Sequence, residues 1–277
     1  MSSESSLTCE TLLNNAIEQI GGDSPRLDAE LLLSHVTGLG RTSFRAWPER
    51  EVAPDQAQAF RELVAERVKG LPIAYLLGQQ EFWSLPLKVS PSTLIPRPDT
   101  ECLVETALEL PLPDNARALD LGTGTGAIAL ALASEKPGWQ IMASDRIEEA
   151  VELARENSRS LQLPITVVQS HWFDQIPESG FDLLISNPPY IPVSDRHLHE
   201  GDVRFEPPSA LVAGDDGLDD IRLLVAEGLQ HLNPDGWMLL EHGYDQGEAV
   251  RNLFAAAGWR NIETRRDYGG NDRMTLA

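Results

Sequence analysis

"ARALDLGTGTGAIALALASEK", residues 116–136, is the stretch that decides the fold. An apolar run ends at Asp120, glycines follow at 122, 124 and 126, and an alanine- and leucine-rich helical pattern begins at Ala127. A buried strand that turns through glycines straight into a helix is the opening unit of a doubly wound α/β sheet. The pattern repeats downstream. "WQIMASD" predicts a second strand, "IEEAVELARENSRSL" a helix, "ITVVQS" a third strand and "FDLLISNPPY" a fourth. "GLDDIRLLVAEGLQHL" predicts a helix, "GWMLLEHG" a fifth strand and "QGEAVRNLFAAAGW" another helix, while "NIETRRDYGGNDRMTLA" holds two short strands around a Gly-Gly turn. Strands alternating with helices predict a mostly parallel, Rossmann-like sheet of seven strands covered on both faces.

Upstream the pattern differs. Leu12, Leu13, Ala16, Ile17 and Ile20 share one helical face, Ser24 and Pro25 read as N-cap and first helical residue, and Asp55 reads as the cap of a helix that stops at Gly70. Residues 80–95 alternate and contain prolines, as a hairpin or linker does. The expected division is a helical bundle over 1–78, a hairpin linker over 79–94 and an α/β domain over 95–277.

Composition narrows the function. Net charge is −21, and residues 94–277 carry 31 acidic against 14 basic side chains, a field that opposes general binding to a phosphate backbone. No uninterrupted apolar run is long enough to span a bilayer, and the N-terminus lacks the basic and apolar regions of a signal peptide. Cys9 and Cys102 make neither a disulfide framework nor a cysteine-rich metal site, and the six histidines are scattered. A cytoplasmic monomer without a metal, a membrane or direct nucleic-acid contact is expected.

The glycine turn lets a ligand lie close to the backbone at the end of the first strand, and Asp145 ends the second strand, where a carboxylate accepts hydrogen bonds from a ribose diol. Gly122, Gly124 and Ala127 also satisfy the relaxed dinucleotide fingerprint, so the turn alone admits hydride transfer from a nicotinamide. An acid ahead of the first glycine and the extra Gly126 favour S-adenosylmethionine, whose amino-acid tail needs an acceptor. "NPPY", residues 187–190, leaves the fourth strand beside that turn. The prolines stiffen it and lack N–H groups, so it presents acceptors without competing donors. The Asn187 side-chain oxygen and the Pro188 carbonyl can each accept one N–H of a planar –NH₂ group, with Tyr190 stacked on its plane. Such acceptors favour the positive charge that builds on nitrogen as it takes a methyl group. Hydride transfer has no use for this ledge.

"DLGTGTG", "NPPY", "GQQEFW", "LIPRPDTE", "FEPPSAL" and "DYGGNDR" together resemble the PrmC (HemK) family over nearly the whole chain. NPPY alone is shared with adenine-N6 DNA methyltransferases and some RNA guanine methyltransferases, which leaves an amine-directed nucleic-acid enzyme as the alternative. The combination with "IPRPDTE" is more specific, and the related ribosomal-protein enzymes typically carry Ser-Pro where this chain has Pro98-Asp99. The resemblance implies methyl transfer from S-adenosylmethionine to the N5 amide of the Gly-Gly-Gln glutamine of class I peptide chain release factors. It implies that Gly122, Thr123, Gly124, Thr125 and Gly126 line the methionine part of the cofactor, that Asp145 holds its ribose, and that Trp172 lies beside the adenine. Asn187 would then contact cofactor and substrate, with Pro188, Pro189 and Tyr190 completing the glutamine pocket. It also implies that the N-terminal helices dock the release factor. His171 departs from the acid expected there and reads as a surface group. Arg97 reads as a residue that positions a cover over the site, and His197 and His199 as a polar loop.

Overall fold

The computed structural model describes residues 7–177 and 179–277; residues 1–6, the head of the expected helical domain, lie outside it. The chain divides into two compact units. One holds residues up to Gln79 together with Gly201–Phe205, and the other holds Gln80–Glu200 and Glu206–Ala277.

The first unit contains α1 (Cys9–Ile20), α2 (Pro25–Thr37), α3 (Arg41–Ala46), α4 (Pro54–Val68) and α5 (Ile73–Leu77). Leu12, Leu13, Leu32, Leu33, Phe60 and Val64 form its core. One capping expectation holds and one is corrected. Ser24 is the N-cap of α2 and Pro25 its first residue, although the Ser24 hydroxyl makes no capping bond; Pro25 there leaves one fewer N–H to satisfy. Asp55 lies inside the first turn of α4, whose cap is Ala53. The return segment is held inside this unit by Arg67, which donates to Asp28 at 2.7 Å and to Asp202 at 2.7 Å. Arg204 reaches the Lys69 carbonyl at 3.0 Å, passing where a side chain on Gly70 would stand.

The second unit opens with a hairpin, β1 (Gln79–Phe82) and β2 (Leu85–Lys88). Its two-residue loop is Trp83-Ser84, with φ of 52° and 59°. Positive φ at both positions fits the right-handed strand twist but strains non-glycine residues. The Trp83 N–H donates to Glu101 and its indole N–H to Glu135, each at 2.8 Å, which pins the loop. Then follow α6 (Glu101–Glu109), β3 (Arg117–Leu121), α7 (Ala127–Glu135), β4 (Gln140–Asp145), α8 (Glu148–Leu161), β5 (Thr166–Gln169), β6 (Phe181–Ser186), α9 (Asp219–Gly228), β7 (Leu232–Glu241), α10 (Gly247–Ala256), β8 (Glu263–Arg266) and β9 (Asp272–Leu276).

Seven strands form one sheet in the order β5-β4-β3-β6-β7-β9-β8. The first five are parallel, and β9 runs antiparallel to both of its neighbours. Side chains alternate between the faces, so Leu183 and Leu239 join the core under α6 and α7 while Leu184 and Met238 join the core under α9 and α10. α7 is buried from Ala127 to Ala133, which is why its sequence shows no polar face. The strand order reverses at the β3–β6 pair, where Asp120 lies opposite Ile185. Ligand sites of open α/β sheets sit at that switch point, outside the carboxyl ends of the strands.

Candidate active site

A cleft of about 890 Å³, open to solvent, lies above the switch point. Gly122, Thr123, Gly124 and Thr125 line it from the turn after β3, Asp145 from the end of β4, His171 and Trp172 from the turn after β5, and Asn187 and Pro189 from the end of β6. Gly122 takes φ +71°, and a Cβ there would stand 3.2 Å from the Trp172 ring, so glycine lets the indole approach the turn this closely. Gly126 has φ +86° and caps α7, packed against Leu130 and Ala154.

Two carboxylates hold the turn. Asp145 Oδ2 accepts the Gly124 N–H at 2.9 Å and Oδ1 accepts the Ile147 N–H at 3.0 Å. Burial raises its pKa, against those two bonds. Asp120 lies beneath the glycines, 1% exposed. Its Oδ2 accepts from the Thr123 hydroxyl at 2.6 Å and the Ala129 N–H at 3.2 Å, while Oδ1 has no hydrogen-bond partner. Burial pushes its pKa up to about 7, with the Thr123 bond pulling the other way. A buried acid with one unused oxygen beneath a turn that bulkier residues would block fits a ligand carrying positive charge and an amino-acid tail.

Trp172 sits at φ +46°, a strained backbone for a bulky side chain. The Ser170 hydroxyl donates to its carbonyl at 2.9 Å, and its indole N–H donates to Asp220 at 3.1 Å. Those bonds fix the ring's angle over Gly122. His171 lies 3.6 Å from Asp174 with its side chain 45% exposed, a surface position at the cleft rim. Arg97 also lines the cleft and pairs with the buried Glu206, while Arg146 holds the Ser209 carbonyl at 3.0 Å, so two arginines fasten the "FEPPSAL" stretch that closes one wall.

The ledge has a back as well as a front. Asn187 Nδ2 donates to Thr100 Oγ1 at 3.1 Å. Pro188 is buried. The Tyr190 hydroxyl donates to Glu241 Oε1 at 3.3 Å, and the Tyr190 carbonyl accepts from Gln246 at 3.0 Å. Gly217 packs so tightly on that carbonyl that a Cβ would come within 2.2 Å of it. Burial, then the nearby Glu241 charge, holds the Tyr190 phenol above the usual tyrosine range.

The N-terminal part of the chain, residues 12–78, matches the model of the PrmC N-terminal domain, and residues 98–199 match that of the Methyltransferase small domain. A protein of Pseudomonas aeruginosa named release factor glutamine methyltransferase is 58% identical over 92% of this chain and 93% of its own. The chain belongs to the release factor glutamine methyltransferase family. The relative of that name from Escherichia coli is 53% identical over 95% of this chain and 96% of its own. A methyltransferase of Pyrococcus furiosus shares the fold with a TM-score of 0.54 at 21% identity, covering 69% of this chain and 87% of its own. The catalytic domain of hMettl16, solved with an RNA hairpin, gives 0.57 at 16% identity, over 78% and 80% of the two chains.

For this family member, the cleft gathers most of the residues singled out in the sequence. Gly126, Pro188 and Tyr190 adjoin these residues in the chain but are not among those that line it. Thr100 and Glu241 were not read as part of the site. Thr100 sits in the quoted "LIPRPDTE", and Glu241 is an acid closing the apolar run of β7, a combination that signals a buried charge at a strand's carboxyl end.

Proposed function

We propose that this chain transfers a methyl group from S-adenosylmethionine to the side-chain amide nitrogen, N5, of the glutamine in the Gly-Gly-Gln motif of class I peptide chain release factors. The observation that carries the proposal is an Asn187–Tyr190 ledge beside the glycine turn in a chain more than half identical to enzymes of that name. When bound, the cofactor supplies an electrophilic methyl group on a sulfonium. Gly122, Thr123, Gly124, Thr125 and Gly126 would hold its methionine part, Asp145 its ribose, and Trp172 and Asn187 its remaining faces; the unused Asp120 oxygen is the acidic feature that suits it.

Asn187 Oδ1 and the Pro188 carbonyl accept the two N–H groups of the substrate amide, and Tyr190 and Pro189 fix its plane. An amide lone pair is delocalised and a weak nucleophile. Acceptors that bind its N–H groups gain most as positive charge builds on nitrogen, so they act in the transition state more than in the ground state. Alignment contributes further, up to about 7–11 kcal/mol in the best cases. The new N–C bond forms as the S–C bond breaks with its electron pair leaving on sulfur, and the acidified amide then gives its extra proton to water. The helical unit is assigned the docking of the release factor, and the cytoplasm, where translation factors work, is the location that follows.

Incubation with labelled S-adenosylmethionine and a class I release factor, its Gln→Ala variant, bulk DNA or bulk RNA tests the proposal. Label on the intact factor alone, lost with Asn187→Ala, is expected. Label on nucleic acid with the factor silent would mean that the ledge holds a base.

A further inference from the structure

Two prolines stiffen the ledge as far as Pro189, and there their control of the backbone ends, so Tyr190 has to be held from outside. The peptide that joins Tyr190 to Ile191 is tied at both of its polar ends. Its carbonyl accepts from Gln246 Nε2 at 3.0 Å, and its N–H donates to the Leu211 carbonyl at 2.9 Å. At the far end of the ring, the Tyr190 hydroxyl reaches Glu241 at 3.3 Å, which is long for an O–H···O bond. The backbone ties are the firmer ones.

Gln246 is 9% exposed and stands immediately ahead of α10. Its side chain bonds to main chain alone. The two protons on Nε2 are shared among the carbonyls of Tyr190, of Asp216 at 3.3 Å and of Gly217 at 3.4 Å, and Oε1 accepts the Gly243 N–H at 2.8 Å. A carbonyl only accepts and a backbone N–H only donates, so these partners dictate which end of the amide lies where. One side chain therefore joins the ledge, the loop ahead of α9 and the turn after β7. The loops close tightly on it. A Cβ on Gly217 would stand 2.2 Å from the Tyr190 carbonyl oxygen and 2.8 Å from Gln246 Nε2, and one on Gly243 would stand 3.0 Å from Gln246 Oε1. Gln246 does not line the cleft, so whatever it does for bound molecules it does through the ledge.

We propose that Gln246 is a positioning residue for the methyl transfer: by locking the Tyr190–Ile191 peptide, it holds the Tyr190 ring against the substrate amide. This inference rests on the reading of Tyr190 as the group that fixes the plane of that amide. Without the Nε2 donor the peptide is tied at its N–H end only, and it can rotate about that bond and carry the ring with it. The cofactor side of the cleft is built by other residues and keeps its shape. The loss therefore falls on alignment at the reacting nitrogen, where a shift of about 1 Å can cost about 100-fold in rate.

Gln246→Met removes all four bonds, and Gln246→Asn keeps an amide that is one methylene too short to reach both Gly243 and Tyr190. The chain has four tyrosines, few enough to resolve one by one after incorporation of 3-fluorotyrosine. The Tyr190 fluorine line is assigned by its loss in Tyr190→Phe and read in the full chain without cofactor or acceptor. In both Gln246 variants it should shift or split, while the lines of Tyr75 and Tyr268 stay in place. In methyl transfer to the release factor, both variants should lose about 30-fold in kcat per bound cofactor, with cofactor stoichiometry read by calorimetry. The KM for the factor and the cofactor Kd should stay within about threefold of the parent. A variant that is merely less stable would lower the stoichiometry and keep the parental fluorine line and the parental kcat per bound cofactor. If Gln246→Met does not fold, Gln246→Asn carries the test. A Tyr190 line at its parental position, or a parental kcat per bound cofactor, in either variant that binds cofactor overturns the inference. Loss of cofactor binding in both overturns it too, since Gln246 would then support the cleft as a whole. A release factor left unlabelled by the parent would strike down the proposed function, and the fluorine line would still decide whether Gln246 holds Tyr190.

Discussion

At the scale of single residues, the site stores charge where charge is disfavoured. Asp120 has a native pKa near 7 against 3.8 in the unfolded chain, and Glu241 near 7 against 4.5. Between those values the native state binds more protons than the unfolded state, so stability falls as pH rises from about 4 to about 7. Asp120→Asn keeps an acceptor for Thr123 and Ala129 and removes the penalty. Urea unfolding at about pH 5 and about pH 8 should show the variant more stable than the parent at the higher pH by up to a few kcal/mol, since each tenfold change in proton affinity is worth about 1.4 kcal/mol, and less different at the lower. A parent of equal stability at both pH values would contradict it. Gly122→Ala places a Cβ 3.2 Å from the Trp172 ring at φ +71°. It should cost about 1–2 kcal/mol of stability and weaken cofactor binding at least tenfold, read by calorimetry. Gly122, Asp145 and Asn187 were legible because each lies in, or directly after, a stretch whose local chemistry is peculiar. Thr100 and Glu241 were not, because they join Asn187 only through the β6–β7 pairing and the turn into α6.

Elements explain which parts of the fold the sequence hid. The strands of the parallel sheet were legible because strands buried on both faces read as apolar runs bounded by turns. α6 was missed: it follows a proline-rich stretch and runs into another, and its burial along Cys102, Leu103, Val104 and Ala107 blurs the helical period. The hairpin was expected, but its turn was not, since Trp-Ser lacks the Asn-Gly signature and depends on Glu101 and Glu135 from distant segments. Asn157 of α8 joins three elements. It accepts the Lys88 N–H at 2.8 Å and donates to the Lys88 carbonyl at 3.0 Å and the Thr125 carbonyl at 2.9 Å. Asn157→Leu leaves all three groups unpaired at a position 1% exposed. A loss of about 2–4 kcal/mol is expected in chemical denaturation, with a further drop in cofactor affinity because Thr125 belongs to the glycine turn. A stable variant with unchanged affinity would show that α8 does not brace the turn.

For the molecule as a whole, the net charge of −21 sets a solution property rather than the fold. Mutual repulsion opposes compactness and is screened as the Debye length falls from about 30 Å in 0.01 M salt to about 3 Å in 1 M. The melting temperature should therefore rise by several degrees between those conditions, measured by scanning calorimetry; a flat profile would mean that the arginine– and lysine–carboxylate pairs found among the described residues already balance the charge. The change from helical bundle to α/β unit was legible in the sequence as a change of period, but the return of Gly201–Phe205 to the bundle was not, because so short a polar and aromatic stretch carries no period at all. Arg67 grips Asp28 and Asp202 together, so the bundle is built from two stretches of chain lying 135 positions apart at that contact. This bears on inheritance. A recombination event, or an engineered chimera, that exchanges only the stretch up to Gln79 between relatives brings in a new Arg67 environment while keeping the old Asp202 and Arg204. Such exchanges are expected to keep the bundle intact only where both stretches travel together, and the two segments are expected to diversify as one unit although they are read from the gene far apart.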